Sequence, residues 1–219
     1  QDFAISEFKF KKEDCPILPN WSATDTFLNI GLERNYSKKK EKISILFIGW
    51  LERYKGVYEI IEAASMLKEN NKYFHIYLGG DGNYMKEAKL LIKEKNLEEY
   101  ISILGWINKK EKIKLLKESD IFILPSWNEG LPNAMIEAMS SGLASIVSAV
   151  GVIPDYIING KNGLLIKPKC PDELVESIVK LMNNRILLET IQKNSFKFAK
   201  NNFTIENALN ILNKEIDSL

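Results

Sequence analysis

Short apolar runs and longer amphipathic stretches take turns along this chain. Ile43–Gly49, Tyr73–Gly79, Tyr100–Leu104, Ile121–Leu124, Leu143–Ser148 and Gly163–Lys167 are brief and rich in Ile, Leu, Val and aromatic residues. They read as strands. Between them, apolar residues recur every three or four positions, as one face of a helix requires: Val57, Ile60, Ile61, Ala64 and Leu67, then Met85, Ala88, Leu91 and Ile92, then Ile113 and Leu116. Asn108 can cap the third of these helices, and Gly142 can end the one that follows Ile121–Leu124. Pro171-Asp172-Glu173 opens a helix with Leu174, Val175, Ile178, Leu181 and Met182 facing inward. Two further helical segments close the chain, the last around Ile205–Ile216. Strands alternating with helices predict an α/β fold, a parallel sheet covered by helices on both faces. Ligands of such sheets bind outside the carboxyl ends of the strands.

The chemistry concentrates in one stretch, Asn128-Glu129-Gly130-Leu131-Pro132-Asn133-Ala134-Met135-Ile136-Glu137-Ala138-Met139, directly after a strand. Pro132 suits the first helical position, where its missing N–H costs nothing. Leu131 then falls at the cap, where Ser, Thr, Asp or Asn would normally bond the next free amides. The amides of Asn133 and Ala134 are left for water or an external anion, and the helix dipole adds positive potential. A phosphate fits there; so does an ordinary, poorly capped helix in water. Glu137 stands among Met135, Ile136, Ala138 and Met139. A carboxylate among apolar neighbours is costly unless something binds it. As an acceptor it can take two hydroxyls at once, which suits a ribose diol. The alternative is a glutamate on the solvent side of the helix.

Glu129 and Glu137, with seven residues between them, match the E-x7-E motif of retaining glycosyltransferases of family 4, which have the two-domain GT-B fold. The chain resembles that family in further segments, in the family's order over roughly residues 43–185. Ile45–Gly49 with Lys55-Gly56 resembles its first strand and "KG" loop. Tyr77-Leu78-Gly79-Gly80-Asp81-Gly82 resembles its "GDG" turn, and Ile103–Ile107 the strand and loop beside the nucleotide base. Val150–Asp155 and Asn159–Leu165 resemble its "GG-x-PE" and "DG-x-NG-LL" segments. The resemblance implies the C-terminal, Rossmann-like half of a GT-B fold, which holds a UDP-, GDP- or ADP-sugar donor. Leu18-Pro19-Asn20 resembles the segment before that half. The implied organisation is a remnant of the acceptor domain and linker over residues 1–41, a donor-binding domain over 42–200 and a C-terminal helix over 201–219. The chain starts at Gln1, and the expectation is a truncated piece, inactive alone, rather than a natural single domain.

By the same resemblance, Glu129 lies near the transferred sugar, Glu137 holds the ribose, and Lys55 with the Asn133 and Ala134 amides holds the diphosphate. Gly130, Leu131 and Pro132 complete that loop. Lys55 also offsets charge on the leaving group; the bland reading is a surface lysine. Gly80 brings backbone close to ligand, or merely makes a tight turn. Trp106 and Ile107 flank the base, though Trp106 also suits a packing role. Trp50 departs from the family, which often has arginine there; Arg53 is close enough in sequence to substitute. Val152 and Asp155 are milder departures.

Composition adds bounds. Thirty basic and 29 acidic side chains nearly cancel, so charge gives no reason to expect nucleic acid. Lys38-Lys39-Lys40 reads as a solvated linker, or as a patch for acidic lipid in peripheral contact with a membrane. No apolar stretch is long enough to span a bilayer and no signal peptide is visible. Cys15 and Cys170 form no C-x-x-C pair, which fits a reduced, cytoplasmic protein. The single histidine, His75, cannot make a zinc site and reads as structural. No D-x-D motif occurs, so metal-independent chemistry is expected and no cofactor is implied. The expected partners are the donor and, through the other domain, an acceptor glycan or lipid-linked sugar. Two rivals stand beside this reading: a sugar-nucleotide epimerase of the same fold, and a non-catalytic nucleotide-binding module.

Overall fold

The structure, a computed structural model, describes residues 18–37, 41–70 and 73–217. Cys15 and Lys38-Lys39-Lys40 lie outside the described residues. In chain order the elements are α1 (Asp25–Glu33), β1 (Ile43–Ile48), α2 (Val57–Glu69), β2 (Phe74–Gly79), α3 (Met85–Glu94), β3 (Ile101–Gly105), α4 (Lys109–Glu118), β4 (Ile121–Leu124), α5 (Asn133–Ser140), β5 (Ala144–Ser148), α6 (Ile153–Tyr156), β6 (Leu164–Ile166), α7 (Pro171–Asn183), α8 (Arg185–Asn202) and α9 (Ile205–Asp217). A single 3-10 turn, Arg53–Lys55, precedes α2.

The six strands form one sheet in the order β3-β2-β1-β4-β5-β6. Every pairing is parallel. β4 and β5 are buried at every position, which is why their sequences are continuously apolar rather than alternating. Helices cover both faces: α2 packs on α7 and α3, while α5 packs on α8 and α1. Phe47, Phe74 and Phe122 are fully buried in the one core, each adding roughly 1.5–3 kcal/mol by leaving water.

The stretch read as remnant and linker holds α1. Ala23, Phe27 and Ile30 belong to the same core as the sheet. Just beyond α1, Arg34 donates to the carbonyls of Ser141 (2.7 Å), Ser119 (2.8 Å) and Leu116. A guanidinium there satisfies the carboxyl ends of α4 and α5 and complements their dipoles. Burial lowers its pKa, opposed by Tyr36 and Asp120.

This strand order carries one reversal. The chain steps from β1 to β2 and β3, then returns to place β4 against the other side of β1. The helices after β1 and β4 therefore go to opposite faces, and the loops leading to them lie side by side at the carboxyl edge, where open α/β sheets bind ligands.

Candidate functional site

The two loops that meet at this reversal are pinned together. The Trp127 N–H donates to the Tyr54 carbonyl (2.8 Å). Lys55 Nζ donates to Glu129 Oε1 at 2.7 Å, and Ser126 Oγ donates to the same oxygen at 2.8 Å. The Glu129 side chain is only 8% exposed, so these charge-assisted bonds repay much of its desolvation. No described residue hydrogen-bonds Oε2. Trp127 is itself fixed: its Nε1 donates to Glu59 Oε1 at 2.9 Å, and Lys169 Nζ stands 4.3 Å from its ring centroid. Gly151 closes the far side at φ +56°; a Cβ there would come within 1.9 Å of the Glu129 carbonyl oxygen. Ser126, Trp127 and Glu59 were not among the residues singled out from sequence. Glu59, a carboxylate between core residues Val57 and Ile60, was the available signal.

The start of α5 differs from expectation by one residue. Pro132 is the cap, at φ −75° and ψ 124°, and Asn133 is the first helical residue. Proline's ring allows this extended conformation, and the Pro132 carbonyl accepts from Met135 (3.1 Å) and Ile136 (3.3 Å). The consequence for the amides is unchanged. No side chain caps α5, and Asn133 and Ala134 precede the first intrahelical bond. The Asn133 side chain is turned to the preceding chain: its Oδ1 accepts from Ser22 Oγ (2.6 Å) and Asn20 Nδ2 (3.1 Å). Asn20 also donates to the Leu131 carbonyl (2.8 Å). At its other end α5 closes as a Schellman motif, with Leu143 N–H on Ala138 O and Gly142 N–H on Met139 O, both 3.0 Å.

Glu137 is neither exposed nor unpaired. Its side chain is 14% exposed, and Lys112 Nζ lies 3.0 Å from Oε1 and 2.9 Å from Oε2. Lys112, in α4, is a site residue the sequence reading missed. Its signal was topological: α4 follows β3, so its first turn must lie at the carboxyl edge.

Beside Lys112 is a cavity of about 210 Å³ lined by Ile48, Gly49, Trp50, Gly79, Gly80, Asp81, Trp106 and Ile107. Trp106 is 73% exposed, Trp50 55%, and their ring centroids are 6.0 Å apart. Gly80, at φ +145°, lets this wall form, because a Cβ would sit 1.8 Å from the Gly49 carbonyl oxygen. A second concavity, about 460 Å³, lies against Asn20, Trp21, Ser22, Phe27, Asn133 and Glu137.

The structure thus brings Lys55 to Glu129, and Trp106, Ile107 and Gly80 to one cavity near Glu137. It does not bring Arg53 to them. Arg53 is 3.6 Å from Glu87 and lies over the Tyr58 and Tyr84 rings, because the 3-10 turn directs it toward α3. Gly130 has open space where a Cβ would stand. No cluster of potential metal ligands occurs among the described residues, and none of the described helices is long and apolar enough to cross a membrane. His75 sits near the amino end of β2, paired in register with Ser44. Its Nδ1 is 3.1 Å from the Glu99 carbonyl and its Nε2 2.9 Å from Ser102 Oγ. Lys42 Nζ also lies 3.4 Å from Nδ1, so the ring is held by contacts on both nitrogens.

A strand-order reversal with its loops at the carboxyl edge is the place where open α/β sheets bind ligands. Residues 32–198 match Glycosyl transferases group 1, and the chain belongs to that family. It is 30% identical, over 93% of its length, to the uncharacterized glycosyltransferase MJ1069 of Methanocaldococcus jannaschii. It is 30% identical, over 94% of its length, to an Escherichia coli UDP-Gal:alpha-D-GlcNAc-diphosphoundecaprenol alpha-1,3-galactosyltransferase. The match covers 52% and 54% of those proteins, so the chain spans about half the length of these curated relatives. The crystal structure of the C-terminal domain of the group 1 glycosyl transferase LpcC from Francisella tularensis superposes with a TM-score of 0.69 at 26% identity, over 74% of this chain and 87% of that one. The fold is that of the C-terminal domain of GT-B glycosyltransferases.

Proposed function

We propose that this chain binds the nucleotide diphosphate sugar of a glycosyltransferase that transfers with retention. The observation that carries the reading is the junction of the β1 and β4 loops, where the Lys55–Glu129 pair lies close to the uncapped start of α5. An ammonium, free helix amides and a helix dipole together suit a diphosphate. Lys55 and the Asn133 and Ala134 amides would hold it, with Gly130, Leu131 and Pro132 shaping the loop. Glu129 Oε2 would face the transferred sugar. Glu137 would bind the ribose, and Trp106, Ile107 and the Gly80 backbone would border the base. In the reaction, the bond from the anomeric carbon to the diphosphate breaks, and a bond to the acceptor oxygen forms on the same face. The leaving phosphate takes the acceptor's proton, so no protein nucleophile is needed.

The acceptor would be bound by a second domain, and the whole enzyme would act at the cytoplasmic face of a membrane. The E. coli relative is named for a UDP-sugar donor and a lipid-linked acceptor, which makes a UDP-sugar and a lipid-linked or polysaccharide acceptor the first candidates. A sugar-nucleotide epimerase of the same fold would need catalytic carboxylates and a histidine drawn from both domains, and the Glu129–Met139 segment fits the transferase pattern better. The test is calorimetric titration of the chain with UDP, GDP and ADP, in wild type and Glu137→Ala. One nucleotide should bind, and the variant should bind it about 10–100-fold more weakly, as expected for losing hydrogen bonds to a charged group. Equal binding by both proteins contradicts the assignment.

A further inference from the structure

Lys112 touches both sides of the carboxyl edge. It lines the 210 Å³ cavity with Trp50, Trp106 and Gly80, while its ammonium reaches both oxygens of Glu137. Glu137 lines the 460 Å³ concavity with Asn20, Ser22 and Asn133. The pair joins the lining of one space to the lining of the other. Both partners are held from behind. An Asn108–Glu111 capping box fixes the start of α4, and the Lys112 ammonium also stands 5.9 Å from the Phe27 ring. On α5, Met135, Ile136, Ala138 and Met139 are fully buried, which anchors the helix that carries Glu137.

We propose that Lys112 is a positioning residue for the nucleoside. It holds the Glu137 carboxylate in one rotamer, so that two ribose hydroxyls can donate to it, and it retains its own bonds while they do. The inference rests on the donor-site reading above and adds a residue to it. A carboxylate has about four lone-pair directions. Lys112 takes one on each oxygen, which leaves one on each for a vicinal diol. Without the ammonium, a carboxylate this far removed from water loses its partner and would turn aside, out of reach of the diol. A plug that the ribose must expel would use the same contact but give the opposite sign on deletion.

The test is titration of Lys112→Met and Lys112→Arg, in the full chain, with UDP, GDP and ADP, and then with the 2′,3′-dideoxy form of the one that binds. Thermal melts report folding. The Met variant should bind the ribonucleotide about tenfold or more weakly, and the Arg variant close to wild type. The dideoxy nucleotide should bind wild type and the Met variant alike, because the residue acts through the hydroxyls. If the Met variant does not fold, Lys112→Gln carries the same test. Tighter or unchanged binding by the Met variant, or an equal loss with the dideoxy nucleotide, overturns the proposal and leaves the donor-site reading standing. If wild type binds none of the three nucleotides, that reading falls and the proposal with it.

Discussion

Glu129 and Glu137 show how a residue's surroundings set its use. Each is largely removed from water and each has a lysine, Lys55 or Lys112, within 3.0 Å. Such pairs give little net stability, since desolvation offsets most of the attraction, but leaving one charge without its partner is costly. His75 is the contrasting case, a titratable group used structurally. Burial lowers its pKa from 6.5, Lys42 lowers it further, and only the Glu99 carbonyl opposes them. The folded state thus resists a proton that the unfolded chain accepts. Stability from this group is fully present above about pH 6.5 and is lost as pH falls from there through the lowered folded value. Melting temperature should drop as pH falls below about 6.5, and His75→Gln should flatten that drop.

At the scale of elements, what was legible in the sequence is what local physics controls. The strands were found within a residue or two, because buried parallel strands are continuously apolar. Asn108 as a cap was legible because Glu111 stands three residues on, and both bonds of the box form: Asn108 Oδ1 accepts from the Glu111 N–H (3.1 Å) and Glu111 Oε2 from the Asn108 N–H (2.7 Å). Asn108→Ala should cost about 1 kcal/mol in urea unfolding, and since α4 carries Lys112, it should also weaken nucleotide binding slightly. The exact start of α5 was less legible, because proline serves equally as cap or first residue. α1 was missed because a short helix with Phe27 and Ile30 as its inward residues leaves a weak pattern. The Lys112–Glu137 pair was missed for a different reason. Its partners lie on separate helices 25 residues apart, and only the strand order brings them together.

For the whole molecule, the strand order decides where function can be. It gives the sheet two unlike edges. At the amino edge, a concavity of about 460 Å³ is lined by Arg34, Tyr36, Asp120, Arg185 and Gln192, with charges of both signs and Arg34 committed to helix ends. At the carboxyl edge, free helix amides, two lysine–glutamate pairs and two exposed tryptophans gather around the β1–β4 reversal. α9 leaves Ile205, Leu209, Leu212 and Ile216 exposed, spaced along one helical face. The central claim is that the carboxyl edge is where a nucleotide diphosphate binds. Amide chemical-shift mapping of the labelled chain, titrated with UDP and then GDP and ADP, tests it most directly. The account predicts that one nucleotide shifts the amides of Gly49, Gly80, Lys55, Asn133 and Ala134 together. Shifts clustered at the amino edge, around Arg34, Ser44 and Gln192, or no shifts with any of the three, would contradict it.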